Sequence, residues 1–178
     1  MIRPEFRKIL LDQRGAAVIL WSAFTMSIPI YVFIAHKVLG NPNIGANPNI
    51  AEPARIIFWL LAVVDLGYYF YWRRRYLTAT AIKRDAMKTK LFRALEEFQG
   101  QAEETAAYMV STVVTRKVVI FAIIEAIAVY GFALAVLGRF ATDQYCLSLV
   151  SLILLALEFP SANSLETLLQ EIERSTAE

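Results

Sequence analysis

Two carboxylates stand inside otherwise apolar runs. Asp65 lies in ARIIFWLLAVVDLGYYFYW (Ala54–Trp72), and Glu125 lies in VVIFAIIEAIAVYGFALAVL (Val118–Leu137). An acid so placed can carry a proton, hold a cation or share a proton with a second acid, because hydrocarbon surroundings disfavour its charged form. Asp65 precedes Arg73 by eight residues, and Glu125 follows Lys117 by eight. At ~1.5 Å per helical residue, each acid is ~12 Å from the basic end of its run. The matched depth predicts that Asp65 and Glu125 face each other. Tyr69, at i+4 from Asp65, is a ready local hydrogen-bond partner. Asp65, Glu125 and Tyr69 are therefore candidates for proton or cation handling. The plainer reading makes each acid a protonated, hydrogen-bonded structural group.

Other chemistry finds little support in the residues. There is no G-x-S-x-G, P-loop, H-E-x-x-H or G-x-G-x-x-G pattern. One histidine (His36) and one cysteine (Cys146) give no metal-ligand spacing, no nucleophile–base couple and no intramolecular disulfide. These features point away from an enzyme, a metal centre or a bound cofactor.

The elements that must position the two acids follow from the distribution of apolar residues. Of 178 residues, 57% are hydrophobic, and mean hydropathy is +0.47. A soluble domain is usually about 45–50% apolar. The excess is concentrated in four blocks, at about 16–39, 54–72, 118–137 and 143–159. A helix needs ~20 residues to cross ~30 Å of hydrocarbon. The predicted fold is all-α: a four-helix transmembrane bundle forming a single membrane domain. The first block is too long for the ~7–15-residue apolar core of a cleaved signal, and no A-x-A site follows it. Pro29 should kink it, with Ser22, Thr25 and Ser27 available to freed backbone groups. The fourth block is short. A Thr142 or Asp143 N-cap brings it to about the minimum length, with Glu158 near the membrane surface and Pro160 ending the helix; a re-entrant segment is the alternative.

Basic residues set the orientation. Residues 1–15 carry four (Arg3, Arg7, Lys8, Arg14) and 73–117 carry ten, whereas loop 40–53 carries none and 138–144 only Arg139. The positive-inside rule places both termini and the middle segment in the cytoplasm of a bacterial inner-membrane, multi-pass protein. Arg73, Arg74, Arg75, Lys83 and Arg84 are candidates for anionic lipid headgroups. The competing reading is a topology signal on a solvated helix face. No nucleic-acid-binding fold accompanies the charge. Membrane lipids are the expected partners, together with a homo-oligomer or another membrane protein.

Residues 73–117 have no proline and a single glycine, Gly100. They predict a cytoplasmic helical hairpin: span two continues to about Phe98, and a second helix begins near Gln101 and runs into span three. Ile2, Phe6, Ile9 and Leu10 among basic residues predict a short interfacial helix with Pro4 in its first turn. In the acidic tail (160–178), Asn163 with Glu166 is an N-cap signal. The outer loop repeats Asn-Pro-Asn-Ile at 41–44 and 47–50 and predicts a non-helical connector. Ala122 with Ala126 and Gly131 with Ala135 predict a helix-packing face on span three.

The stretch IIEAIAVYGFALA resembles the carboxylate-bearing helix of the proton-carrying ring subunit of rotary ATP synthases, through Glu125, Ala126, Ala128, Tyr130, Gly131 and Ala135. That resemblance implies reversible protonation of Glu125. The other spans lack the alternating glycines of ring helices, and a long cytoplasmic segment replaces the ring subunit's short loop. In layout, the chain resembles uncharacterised bacterial four-span inner-membrane proteins. The leading expectation is a non-enzymatic assembly or accessory component. The alternative is a small proton- or cation-coupled transporter component using Asp65 and Glu125.

A periplasm-specific reporter enzyme fused after Glu178 is expected to be inactive, and a cytoplasmic reporter active. Periplasmic activity there would mean that the fourth block does not cross.

Overall fold

The computed structural model describes residues 3–41, 48–86, 101–161, 166–167 and 170, and within them every regular element is helical. The order is α1 (Pro4–Leu39), α2 (Pro48–Tyr76), α3 (Ala79–Ala86), α4 (Gln101–Gly138) and α5 (Ala141–Leu157). Two segments are long and apolar enough to cross a membrane, Arg14–Leu39 of α1 and Glu103–Gly138 of α4; α5 is apolar but only 17 residues long.

Several boundaries differ from those read from the sequence. The N-terminal segment is not a separate interfacial helix: α1 is continuous over 36 residues, with Pro4 at its start and Glu5 in its first turn. Helical hydrogen bonding continues through Gly15 because the apolar run begins directly after it. The Ser27 Oγ and Thr25 Oγ1 hydroxyls donate to the carbonyls of Phe24 and Trp21, in the turn before Pro29. The helix α2 begins at Pro48, inside the second Asn-Pro-Asn-Ile. A proline opens a helix well, since the first helical N–H has no partner to lose. At the other end α2 stops at Tyr76 rather than running to Phe98; Leu77 and Thr78 bend, and the Ile82 N–H then bonds the Thr78 carbonyl to start α3. Residues 87–100, which include the turn expected at Gly100, lie outside the described residues, as does the N-cap signal at Asn163. The helix α4 starts at Gln101 as expected, with Glu103 and Glu104 in its first turn facing the positive end of the helix dipole. The first residue of α5 follows Phe140, which supplies no side-chain cap; Asp143 sits inside the first turn instead of capping it.

The chain divides into two compact units: residues 1–20, 72–119 and 159–178 in one, and 21–71 and 120–158 in the other. In the first unit Leu10, Ala81, Ile82, Ala106, Ala107 and Val110 are buried. Glu103, fully buried, accepts hydrogen bonds from Arg3 Nε (2.8 Å), Arg3 Nη2 (2.9 Å) and the Arg3 N–H (3.1 Å), which ties the start of the chain to the first turn of α4. Charge-assisted bidentate pairing of this kind is what makes a buried carboxylate tolerable.

The second unit buries several polar side chains and exposes many large apolar ones. Asp143, Gln144, Ser148, Ser151 and Glu158 are buried, while Ile19 aside, the large exposed residues here include Met26, Phe33, Ile56, Leu60, Val63 and Leu157, each more than 60% exposed. Large contiguous apolar exposure marks a surface that meets lipid or protein. The contact of α4 with α5 is close because it uses small residues. A Cβ on Gly131 would come within 3.1 Å of Leu147 Cβ and 3.2 Å of Gln144 Cα, and Ser151 Oγ donates to the Ile124 carbonyl at 2.7 Å. Gly131 and Ala135 are buried, as the small-residue spacing predicts; Ala122 is exposed.

Gly131→Leu is expected to force α5 away from α4 and to lower thermal stability in detergent by about 1–3 kcal/mol. Gly67→Leu serves as the control, since nothing lies within 4 Å of a Cβ there. Equal melting temperatures for the two variants would refute the close α4–α5 contact.

Candidate functional site

The second unit brings three carboxylates of the apolar helices to three tyrosines. Tyr31 on α1 donates to Glu125 Oε1 on α4 at 2.8 Å. Tyr130 on α4 donates to Asp65 Oδ2 on α2 at 2.8 Å. Tyr69 on α2 donates to Glu158 Oε1, just past α5, at 2.9 Å. Every pair joins two helices, and no pair is local in sequence.

This corrects the expected geometry in two respects. Asp65 and Glu125 are hydrogen-bonded to different tyrosines and not to each other. Tyr69 does not serve Asp65 at i+4; it is fully buried and bonds Glu158, itself 4% exposed. A short local reach lost to a long one because the Tyr69 ring points into the core, where the α5 C-terminus delivers a carboxylate. Glu158 is thus an interior acceptor at the end of α5.

Aromatic packing holds the two remaining tyrosines in place. The Tyr130 ring stacks on Phe58 at 5.7 Å between centroids, so α2 grips it at both Phe58 and Asp65. Tyr31 packs against Phe132 at 5.6 Å, on the helix that also carries its acceptor Glu125. A phenol fits this duty: its ring buries apolar area while its hydroxyl satisfies the acid. The sequence does not point to Tyr31 or Tyr130 as donors to these acids, because their acceptors are 94 and 65 residues away.

A second polar arrangement stands at the other end of these helices. Arg55 Nε and Nη2 form a fork with Asp143 at 2.6 and 3.1 Å, and the guanidinium lies 4.7 Å from the Phe140 ring centroid. A lone arginine opening an apolar run and a lone aspartate opening another were the available signal. Nearby in sequence, Arg139 takes a left-handed backbone (φ 58°), a conformation that glycine adopts at lower cost. Its side chain explains the choice: Nη1 donates to the Asn41 carbonyl at 3.0 Å and Nη2 to the Leu39 carbonyl, placing a cation on carbonyls at and just past the end of α1.

In the first unit, the headgroup candidates are spread over the end of α2 and α3. Arg73, Arg74 and Arg75 are exposed, and the Arg75 guanidinium lies 6.0 Å from the Tyr76 ring centroid. Nothing is described of the Lys83 side chain. Arg84 is exposed and pairs with Asp85 at 3.1 Å. Arg116 bridges back from α4, donating to Asp85 at 2.6 Å and to the Tyr76 carbonyl at 2.5 Å. Hydrogen bonds from Arg84 and Arg116 hold the Asp85 carboxyl down at about 2. Among the described residues, no group of three or more His, Cys, Asp or Glu side chains converges as metal ligands. No protein-family model, curated protein or solved structure matches the chain.

Tyr31→Phe and Tyr130→Phe each leave a carboxyl without its donor and should cost about 1–3 kcal/mol of thermal stability in detergent. Adding Glu125→Met to the first, or Asp65→Leu to the second, should recover most of that loss, because both members of the pair are then apolar. Glu125→Met and Asp65→Leu together should be additive within ~0.5 kcal/mol. Strong coupling between the two acids, with none inside the tyrosine pairs, would restore a shared Asp65–Glu125 site.

Proposed function

We propose that the chain is a non-enzymatic, four-span inner-membrane protein with both termini cytoplasmic, acting as an assembly or accessory component. The observation that carries this reading is the pairing of each interior carboxylate of the second unit with its own donor on another helix. A transporter needs polar groups that can exchange partners with a substrate or ion. Here the tyrosines and Arg55 are engaged by protein acceptors, which supports a structural role for the acids. The exposed apolar side chains of α1, α2 and α5, together with the buried polar residues of α5, suit helices that meet hydrocarbon outside and one another inside. Arg73, Arg74 and Arg75 at the end of α2 suit a cytoplasmic boundary.

The alternative, a proton- or cation-coupled component, rests on Asp65 and Glu125 sharing one site, and their separate tyrosines weigh against it.

Three measurements test the proposal on the full chain. The protein should remain in membranes through alkaline carbonate washing, and mild-detergent extracts should yield a homo-oligomer or a membrane-protein complex of fixed stoichiometry. Proteoliposomes of the purified chain should show no proton or monovalent-cation flux under an imposed gradient. Flux that disappears in Glu125→Gln or Asp65→Asn would replace this reading with the transporter.

A further inference from the structure

One exposed face of α2 carries an acid, Glu52, one turn before the Arg55 that pairs with Asp143. Glu52, Arg55, Ile56, Trp59, Leu60 and Val63 line a shallow, open groove of about 490 Å³ along this one helix. These positions recur at helical spacing, so they form one stripe along the helix.

The polar end of the stripe is asymmetric. Arg55 gives Nε and Nη2 to Asp143 and lies over Phe140, which fixes the guanidinium and leaves Nη1 outside that fork. Glu52, one turn earlier, is exposed and has no hydrogen-bond or salt-bridge partner among the described residues. Arg55 and Asp143 neutralise each other, so Glu52 leaves one negative charge at the mouth. An anionic headgroup is repelled there and a cationic one attracted. Below the charges the stripe is apolar, with Ile56, Leu60 and Val63 each more than 60% exposed and Trp59 38% exposed.

We propose that this groove binds a phospholipid with a primary-amine headgroup, of the phosphatidylethanolamine class; the inference rests on the membrane reading above. The order of groups along the stripe matches the order in the lipid. Residues three apart on a helix have Cβ atoms about 5–6 Å apart, which suits an ammonium at Glu52 and a phosphate at Arg55 Nη1 on the same headgroup. Trp59 takes the level of the ester region, where indole rings favour the interface. From Arg55 to Val63 the helix descends ~12 Å, and an acyl chain runs along Ile56, Leu60 and Val63. A choline headgroup lacks the N–H donors that Glu52 requires, and a glycerol headgroup lacks the positive charge.

Native mass spectrometry tests this on the full chain released from nanodiscs of equal parts phosphatidylethanolamine, phosphatidylcholine and phosphatidylglycerol. Phosphatidylethanolamine should be retained about fivefold over either competitor, the equivalent of roughly 1 kcal/mol. Glu52→Gln should abolish that preference and change the melting temperature little, since Glu52 makes no hydrogen bond or ion pair among the described residues and acts on Arg55 only by longer-range attraction. Glu52→Lys should invert it toward phosphatidylglycerol. Equal retention of all three lipids, or a preference that survives Glu52→Gln, overturns the proposal. A second copy of the chain or another polypeptide crosslinked at Trp59, with no lipid preference, overturns it in favour of a protein occupant. If the protein stays in carbonate-washed membranes but shows no selectivity, only the groove proposal fails; if carbonate releases it, the membrane reading fails as well.

Discussion

A carboxyl group in apolar surroundings loses its water and must receive a donor from the protein, and a phenol is the donor that costs least. It remains neutral, its ring adds to the packing, and its hydroxyl reaches across the gap between helices. Tyr31, Tyr130 and Tyr69 meet this need for Glu125, Asp65 and Glu158, and each bond fixes both the rotation and the axial position of the helices it joins. The close approach of α4 and α5 at Gly131, and the Ser151 bond to the Ile124 carbonyl, are compatible with only one such setting. Apolar packing alone would leave helices of this composition free to slide, because Ile, Leu and Val side chains interdigitate at many registers.

The same requirement explains the charged residues at the other end of the second unit. The Arg55–Asp143 fork neutralises two charges that would otherwise stand near apolar surroundings, and the stack on Phe140 shields it. Arg139 accepts an unfavourable backbone conformation in order to place its guanidinium on the last carbonyls of α1. In the first unit, Arg3 on Glu103 and Arg116 on Asp85 do comparable work with full ionic pairs. Phenol–carboxyl bonds thus join the apolar helices of the second unit, while ionic pairs stand nearer the helix ends. That partition follows from the cost of separating charges from water. It also bears on function: a carboxyl held by a fixed tyrosine is a poor carrier and a good anchor, which is why the assembly reading is preferred to transport.

The amino-acid pattern alone determined the helical class, because apolar blocks of this length with helix-forming flanks admit no sheet. It also determined the start of α4 near Gln101, the stop of α5 before Pro160, and the burial of the small residues Gly131 and Ala135, since each shows in the local residue pattern. It singled out Asp65, Glu125 and Tyr69 as unusual, but it could not say what they touch. Sequence neighbours offered Tyr69 to Asp65, and equal depth offered Asp65 to Glu125. The tertiary structure decided otherwise, since the rotation of each helix about its axis determines which side chains meet. That rotation is a property of the packed bundle and has no local signature. The break of α2 at Leu77 and Thr78 was likewise invisible to propensity: a run of good helix formers gives way where Arg116 takes the Tyr76 carbonyl and where Ala81 and Ile82 must turn into the core.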